Sequence, residues 1–134
     1  MAVLQCKRQQ SPVQFIDTAM KLVQHTILYT RKQFANKDHD LVRRIRDLSS
    51  DILTNVVMAN AVFPKSYEDI AYRYKLFREA KAKCFALNTF LSTIKHAIQT
   101  TITDYGWKMW GEYLLDEIRL INKVISSDKN QKFE

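Results

Sequence analysis

Residues 70–98 read IAYRYKLFREAKAKCFALNTFLSTIKHAI, and this stretch decides the fold. Its apolar side chains recur every seven residues, and several are followed by another apolar position three residues later. The seam consists of Ile70, Phe77, Ala80, Cys84, Leu87, Leu91, Ile94 and Ile98. A heptad pattern of this length is typical of helices that pack at about 20° in a bundle. The sequence therefore predicts a long helix with one buried face, extending to Thr100.

Three further helices are predicted by apolar residues at helical spacing on both sides of this stretch. The first begins at Ser11-Pro12, because serine caps a helix well and proline is tolerated in the first turn. The second opens at Asp38 or Asp40, where the helix dipole favours negative charge. The last follows a break at residues 101–106. The predicted fold class is all-α, an up-down antiparallel four-helix bundle.

The composition agrees with one helical domain. The 134 residues include only two glycines and two prolines, whereas an all-β fold needs many more turn residues. Hydrophobic residues make up 46% of the chain, enough for a compact core. We expect a flexible N-terminus over residues 1–10, the bundle over residues 11–127, and a flexible tail over residues 128–134.

Positive charge is concentrated in the middle of the sequence. The chain has 21 Lys and Arg against 14 Asp and Glu, and residues 21–95 hold 14 basic and 7 acidic side chains while the remainder balances. Such an excess favours a polyanionic partner, because Lys and Arg displace counterions from phosphates. The alternative is a charge that serves solubility alone. The candidates for contact with nucleic acid or a polymerase are Arg43, Arg44, Arg46, Arg73, Lys75, Arg78, Lys81 and Lys83.

Three tyrosines, Tyr67, Tyr72 and Tyr74, interleave with this charge on the third helix. Tyrosine can stack on an unpaired base, although aromatic residues on bundle helices more often complete a core. The sequence shows no glycine-rich loop, aromatic-motif sheet or zinc knuckle, so we expect backbone contacts rather than sequence-specific recognition.

Two helices carry a second apolar stripe beside the one that faces the core. Because both stripes share the spacing i, i+11, i+15, and exposed apolar stripes tend to be interfaces, we expect self-association. The alternative is that a wide core face absorbs these residues. The predicted oligomer interface consists of Val42, Leu53, Val57, Met109, Tyr113, Leu120 and Val124.

No residue pattern points to catalysis, a metal or a cofactor. Asp38-His39-Asp40 lies at a helix start, where capping explains it better than metal binding. The Glu-x-x-His pattern of di-iron bundles is absent, and no nucleophile is paired with a base. The N-terminus lacks the apolar core of a signal peptide, and no apolar run is long enough to cross a bilayer. We therefore expect a cytoplasmic protein that is not an enzyme.

Three strings together resemble the four-helix-bundle family that contains the accessory variability determinant (Avd) of diversity-generating retroelements. They are RRIRDLSSDILTNVVMANAV at residues 43–62, YRYKLFREAKAKCFALNTFLSTI at residues 72–94 and YLLDEIRLINKVISS at residues 113–127. A related branch contains ribosomal-RNA-associated bundle proteins encoded by intervening sequences. That branch has a Ser-Ile-Pro-Ser-Asn-Ile-Ala-Glu-Gly type string where this chain has SSDILTNVVMANAV, which favours the Avd-like branch.

The resemblance implies a non-enzymatic partner of a reverse transcriptase. Avd-like proteins are similar to one another in forming a homopentameric barrel whose positive surface engages the polymerase and template RNA, in support of mutagenic complementary-DNA synthesis. The expected partners are therefore nucleic acid, a reverse transcriptase and further copies of the chain. Two alternatives are a ribosomal-RNA-associated bundle and a structural protein–protein adaptor whose charge is incidental.

Overall fold

The computed structural model describes residues 13–31, 39–97 and 100–133, and these residues form four helices. The helices are α1 (Gln14–Arg31), α2 (His39–Ala61), α3 (Tyr67–Ala97) and α4 (Asp104–Lys129). Helices α1 and α3 each pack against both α2 and α4, so the four helices surround one core. The predicted all-α four-helix bundle is confirmed.

The heptad seam of α3 forms one wall of this core, as its spacing predicts. Ile70 is half-buried, Ile98 lies outside the described residues, and the other six members of the seam are buried. From α4, Trp110 fills the centre of the bundle, and its Nε1–H donates to Thr26 Oγ1 on α1 at 2.9 Å. The Thr26 hydroxyl donates in turn to the Leu22 carbonyl at 2.8 Å, so these buried polar groups are satisfied.

The helix boundaries differ from the predicted ones by a few residues. Helix α3 ends at Ala97 rather than at Thr100, and α4 begins at Asp104, inside the predicted break. Thr103 caps α4, because its Oγ1 accepts from the Gly106 N–H at 3.1 Å. The predicted starts at Ser11-Pro12 and Asp38 lie outside the described residues, as does the expected flexible segment 1–10.

The prediction of a flexible tail from residue 128 is wrong at its first two positions. Helix α4 continues to Lys129, and Asp128 is 6% exposed and bonded to Arg73 of α3. Phe133 also contacts α3: its N–H donates to Tyr67 Oη at 3.2 Å, and the two rings pack edge to face. The polar sequence of the tail suggested disorder because Arg73, the partner that buries Asp128, lies 55 positions earlier in the sequence.

The two glycines have opposite packing environments, which yields a stability prediction. A Cβ on Gly106 would lie 2.7 Å from Tyr29 Cε1, whereas a Cβ on Gly111 would meet nothing within 4 Å. We expect Gly106→Ala to lower the free energy of unfolding by about 1–3 kcal/mol through overpacking. Gly111→Ala should raise it by about 1 kcal/mol, because alanine favours an open helix position. Urea unfolding followed by circular dichroism measures both, and a shift of the same sign in the two variants would contradict the geometry.

Candidate nucleic-acid interface

Arg73, one of the eight predicted nucleic-acid contacts, is buried inside the bundle. It is 6% exposed, its Nε donates to Asp128 Oδ2 at 2.8 Å, and its Nη2 donates to Asp128 Oδ1 at 3.3 Å. Its Nη1 donates to the carbonyls of Val62 at 2.8 Å and Ala59 at 3.2 Å. Arg73 thus caps the C-terminal end of α2 and pairs with α4. The prediction that Arg73 contacts nucleic acid is wrong, because its guanidinium is buried and its charge is already paired with the carboxylate of Asp128.

Two more of the predicted cations are half-buried in contacts between helices. Arg46 Nε donates to Thr30 Oγ1 on α1 at 2.8 Å, and Lys83 Nζ donates to Asn55 Oδ1 on α2 at 3.4 Å. Arg43 and Arg44 on α2 are exposed. The α2 candidates therefore divide between surface and helix–helix contacts, and α2 does not present one cationic face.

Of the remaining candidates, Arg78 and Lys81 lie on the same side of α3 as Tyr74 and Phe85, and Lys75 lies farther round the helix. Lys75 and Arg78 are exposed and Lys81 is half-buried. Arg78 Cζ lies 5.7 Å from the ring centroid of Tyr74, whose other neighbour is Lys129 of α4, with Nζ at 5.9 Å. Tyr74 therefore lies between two cations, one from each helix.

Two adjoining cavities of about 220 Å³ and 300 Å³ lie between α3 and α4. They share Asn88 and Gly111, so they form one continuous surface, which we call the α3–α4 groove. Its walls are Phe85, Asn88, Ser92 and Lys95 of α3 and Trp107, Gly111, Leu115 and Ile118 of α4. Phe85 is 53% exposed and Leu115 is 65% exposed. Lys81 and Tyr74 lie beyond the two cavities on the same side of α3, because they precede Phe85 by four and eleven residues.

The charge beside this groove is not compensated by carboxylates. No Asp or Glu lines either cavity, whereas Lys95 and His96 line the smaller one, and Lys95 Nζ lies 5.9 Å from the Trp107 ring centroid. In the part of the chain that the structure describes, the cations with ion pairs are Lys21, Arg73, Lys108 and Arg119. The cations Lys75, Arg78, Lys81 and Lys95 thus remain available to an anionic ligand.

None of the residues that line the two cavities was among the predicted nucleic-acid contacts. Lys95, Trp107 and Lys129 were not among the predicted contacts, and Phe85 carried no functional assignment. A helical projection of α3 places Lys81 and Phe85 on one side, and this signal was present in the sequence. The pairing of that side with residues of α4 depends on tertiary packing, which no local pattern specifies.

Most of the predicted oligomer interface is half-buried within a single subunit. Val42, Leu53, Tyr113 and Val124 pack against the core, and Met109 and Leu120 are also half-buried. Both stripes lie beside α1: Arg46, on the α2 stripe, bonds Thr30, and Tyr113 packs edge to face on His25. Val57 is 43% exposed. A wide core face therefore accounts for most of both stripes, and self-association stays a prediction.

Two buried groups of the core, Glu117 and Cys84, have raised pKa values. Glu117 is fully buried, neither carboxyl oxygen has a hydrogen-bond partner, and burial raises the pKa of its carboxyl group to about 8. Burial, together with the charge of Glu117, raises the pKa of the Cys84 thiol to about 12. Both groups are therefore mainly protonated at neutral pH. Among the described residues, no three His, Cys, Asp or Glu side chains are grouped so as to hold a metal ion.

His25 is the third perturbed group, and it lies in an aromatic cluster. Its Nε2 is 2.8 Å from the Gly106 carbonyl oxygen, and its ring lies 5.1 Å from that of Trp110. Burial lowers the pKa of His25, and the hydrogen bond to Gly106 opposes part of that shift. His25 thus joins α1 to the start of α4 as a neutral core histidine.

Taken together, the fold and the groove define a basic four-helix bundle with an aromatic and cationic surface between α3 and α4. Comparisons with protein-family profiles, curated proteins and solved structures return no match to this chain. Within the described residues, no helix combines the length and the apolar character that crossing a membrane requires.

Proposed function

We propose that this protein is a non-enzymatic nucleic-acid-binding protein that uses cations of α3 to hold phosphates. The observation that carries the proposal is the set Lys75, Arg78, Lys81 and Lys95, which lacks ion-pair partners among the described residues. Long cationic side chains held outside a closed core are suited to phosphate contacts, which give affinity without base specificity. Binding of this kind depends on surface charge and requires no catalytic group.

We further propose that the polyanion belongs to a diversity-generating retroelement and that the protein is an accessory partner of its reverse transcriptase. The support is the resemblance of residues 43–62, 72–94 and 113–127 to Avd-like proteins, together with the four-helix bundle that this resemblance implies. Assembly into a homo-oligomer, a pentamer by the same resemblance, is part of the proposal. The exposed side chain of Val57 is the best placed of the predicted interface residues to contribute to it.

Reversing the charge of two exposed cations tests the binding function. We expect Lys75→Glu with Arg78→Glu to weaken binding to a labelled 20-nucleotide RNA by about 100-fold, because two charged phosphate contacts are lost. The log–log dependence of affinity on salt should become shallower by about 0.7–0.9 per contact. Fluorescence anisotropy over a salt series measures both quantities, and circular dichroism should show unchanged helicity.

A matched control separates this face from net charge. Lys21→Glu with Arg119→Glu changes the net charge by the same amount, and both of these cations already pair with a neighbouring carboxylate. We expect this control to weaken binding far less than the reversal on α3. If the two double variants lose RNA affinity equally, net charge alone accounts for binding and the α3 face has no special role. If neither variant loses affinity, the proposed function is contradicted.

A further inference from the structure

We infer that the α3–α4 groove binds a single strand of nucleic acid, with bases against its exposed aromatic rings and phosphates on the cations beside them. The inference rests on the proposed function and narrows it in two respects. It assigns binding to one face of the bundle, and it specifies unpaired rather than duplex nucleic acid.

Aromatic and cationic side chains alternate along the groove. Tyr74 lies between Arg78 and Lys129, Phe85 follows Lys81, and Trp107 lies beside Lys95. Proteins that bind single strands combine rings on which bases stack with a positive path for the backbone. From Tyr74 to Lys95 this row of side chains extends along α3 for about 30 Å, at 1.5 Å per residue. This length accommodates several nucleotides rather than one.

The rings are accessible enough to take part. Phe85 is 53% exposed and Tyr74 is 39% exposed, although both lie beside a packed core. An exposed phenylalanine between two helices contributes little to the bundle itself, whereas a base stacked on it would remove its surface from water. The exposed surface of the Phe85 ring is where a base would stack.

Gly111 supports the same conclusion from the backbone of α4. It lies in the interior of a long helix, where glycine is less favourable than alanine, and a Cβ there would meet nothing within 4 Å. Packing within the chain therefore does not explain this glycine, in contrast to Gly106, which contacts Tyr29. Its effect is to keep the groove open where the two cavities meet, so that a ligand can approach the helix backbone.

Charge favours a nucleic-acid strand over the other occupants of such a groove. An amphipathic helix from a protein could cover Phe85, Leu115 and Ile118, but it would have to supply its own carboxylates for Lys81 and Lys95. Duplex nucleic acid would satisfy the cations but would leave the rings without partners, because its bases are already stacked. A single strand satisfies both features at once.

The test compares a labelled 20-nucleotide single strand, of RNA and of DNA, with a 20-base-pair duplex. We expect the wild-type protein to bind the single strand more tightly than the duplex. Phe85→Ala should weaken single-strand binding by about 5- to 150-fold, the range found for loss of one stacked base. Gly111→Leu should weaken it similarly by filling the groove without removing any charge.

The controls are Tyr105→Ala and Gly111→Ala. Tyr105 is an aromatic side chain on α4 that is 63% exposed and does not line the groove, so its loss should change single-strand affinity less than twofold. Gly111→Ala adds a single methyl group to the same position and keeps the groove passable. Thermal unfolding by circular dichroism confirms that each variant is folded.

The outcomes separate this inference from the proposed function. If Phe85→Ala and Gly111→Leu both leave single-strand affinity unchanged while Lys75→Glu with Arg78→Glu abolishes it, the groove is not the site and phosphate binding stands. Equal affinity of the wild-type protein for duplex and single strand would likewise overturn the inference alone. If the wild-type protein binds no nucleic acid at low salt, both proposals fail.

Discussion

Replacing Arg73 with alanine is expected to lower the free energy of unfolding by about 3–5 kcal/mol, because the change leaves a carboxylate buried without its cation. Asp128 is 6% exposed and receives two hydrogen bonds from this guanidinium. The same substitution also removes the donors to the carbonyls of Ala59 and Val62 at the end of α2. Urea unfolding monitored by circular dichroism measures the loss.

Arg78→Ala is the matched control, since Arg78 lies on the same helix but is exposed and has no ion pair among the described residues. We expect its effect to be within about 0.5 kcal/mol of zero, as for most surface substitutions. Arg73→Met combined with Asp128→Leu should be more stable than either single variant, because it removes both buried charges together. If Arg73→Ala unfolds at the same urea concentration as Arg78→Ala, the buried pair contributes nothing to stability.

The second expected result is a fall in stability as the pH rises toward 8, caused by Glu117. Burial raises the pKa of its carboxyl group from 4.5 to about 8, so the folded protein keeps a proton that the unfolded chain has released. Between these two values the folded state binds more protons, and the free energy of unfolding therefore falls with rising pH. The slope approaches about 1.4 kcal/mol per pH unit, and the total is on the order of 5 kcal/mol.

The measurement is best made above pH 6.5, where His25 adds no slope of its own. Burial lowers the pKa of His25 below 6.5, its value in the unfolded chain. The stabilisation that neutral His25 gives to the folded state is therefore present above pH 6.5 and is lost as the pH falls below that value. Urea unfolding of the wild-type protein at several pH values from 6.5 to 9 should show stability falling and then levelling above pH 8. Glu117→Gln, which keeps the shape but cannot ionise, should remove this dependence.

Glu112→Gln provides the comparison for Glu117, because Glu112 is an exposed carboxylate on the same helix. It should retain the wild-type pH dependence. A wild-type profile that is flat from pH 6.5 to 9, or a Glu117→Gln profile as steep as the wild-type one, would mean that this carboxyl group reaches water or a partner in solution.

The helical architecture could be predicted because it depends on local periodicity. The seam of α3 and the apolar spacing of α4 place Phe77, Leu91 and Trp110 in the core directly, since a helix turns 100° per residue whatever surrounds it. The same spacing places Arg73 on the seam, three residues after Ile70 and seven before Ala80, and places Lys81 outside it. What the spacing cannot supply is the carboxylate of Asp128 that pairs with the buried guanidinium, because it is 55 positions away from Arg73 in the sequence.

The candidate site was only partly predictable for a related reason. Positive charge on α3 is visible in the sequence. The groove, however, forms only where Phe85 and Lys95 of α3 lie opposite Trp107 and Gly111 of α4. That register follows from how two helices pack, not from the pattern of either one. The buried Glu117 shows the same limit, because it occupies a core position where the pattern alone predicts an apolar side chain.

Arg73 also has a consequence for how the bundle comes apart. One guanidinium on α3 bonds the end of α2 and the last turn of α4, so it belongs to both helical hairpins of the fold, α1–α2 and α3–α4. Separation of the two hairpins would break its hydrogen bonds to the carbonyls of Ala59 and Val62, while its pair with Asp128 lies within α3–α4. We expect this link to couple the unfolding of the two hairpins.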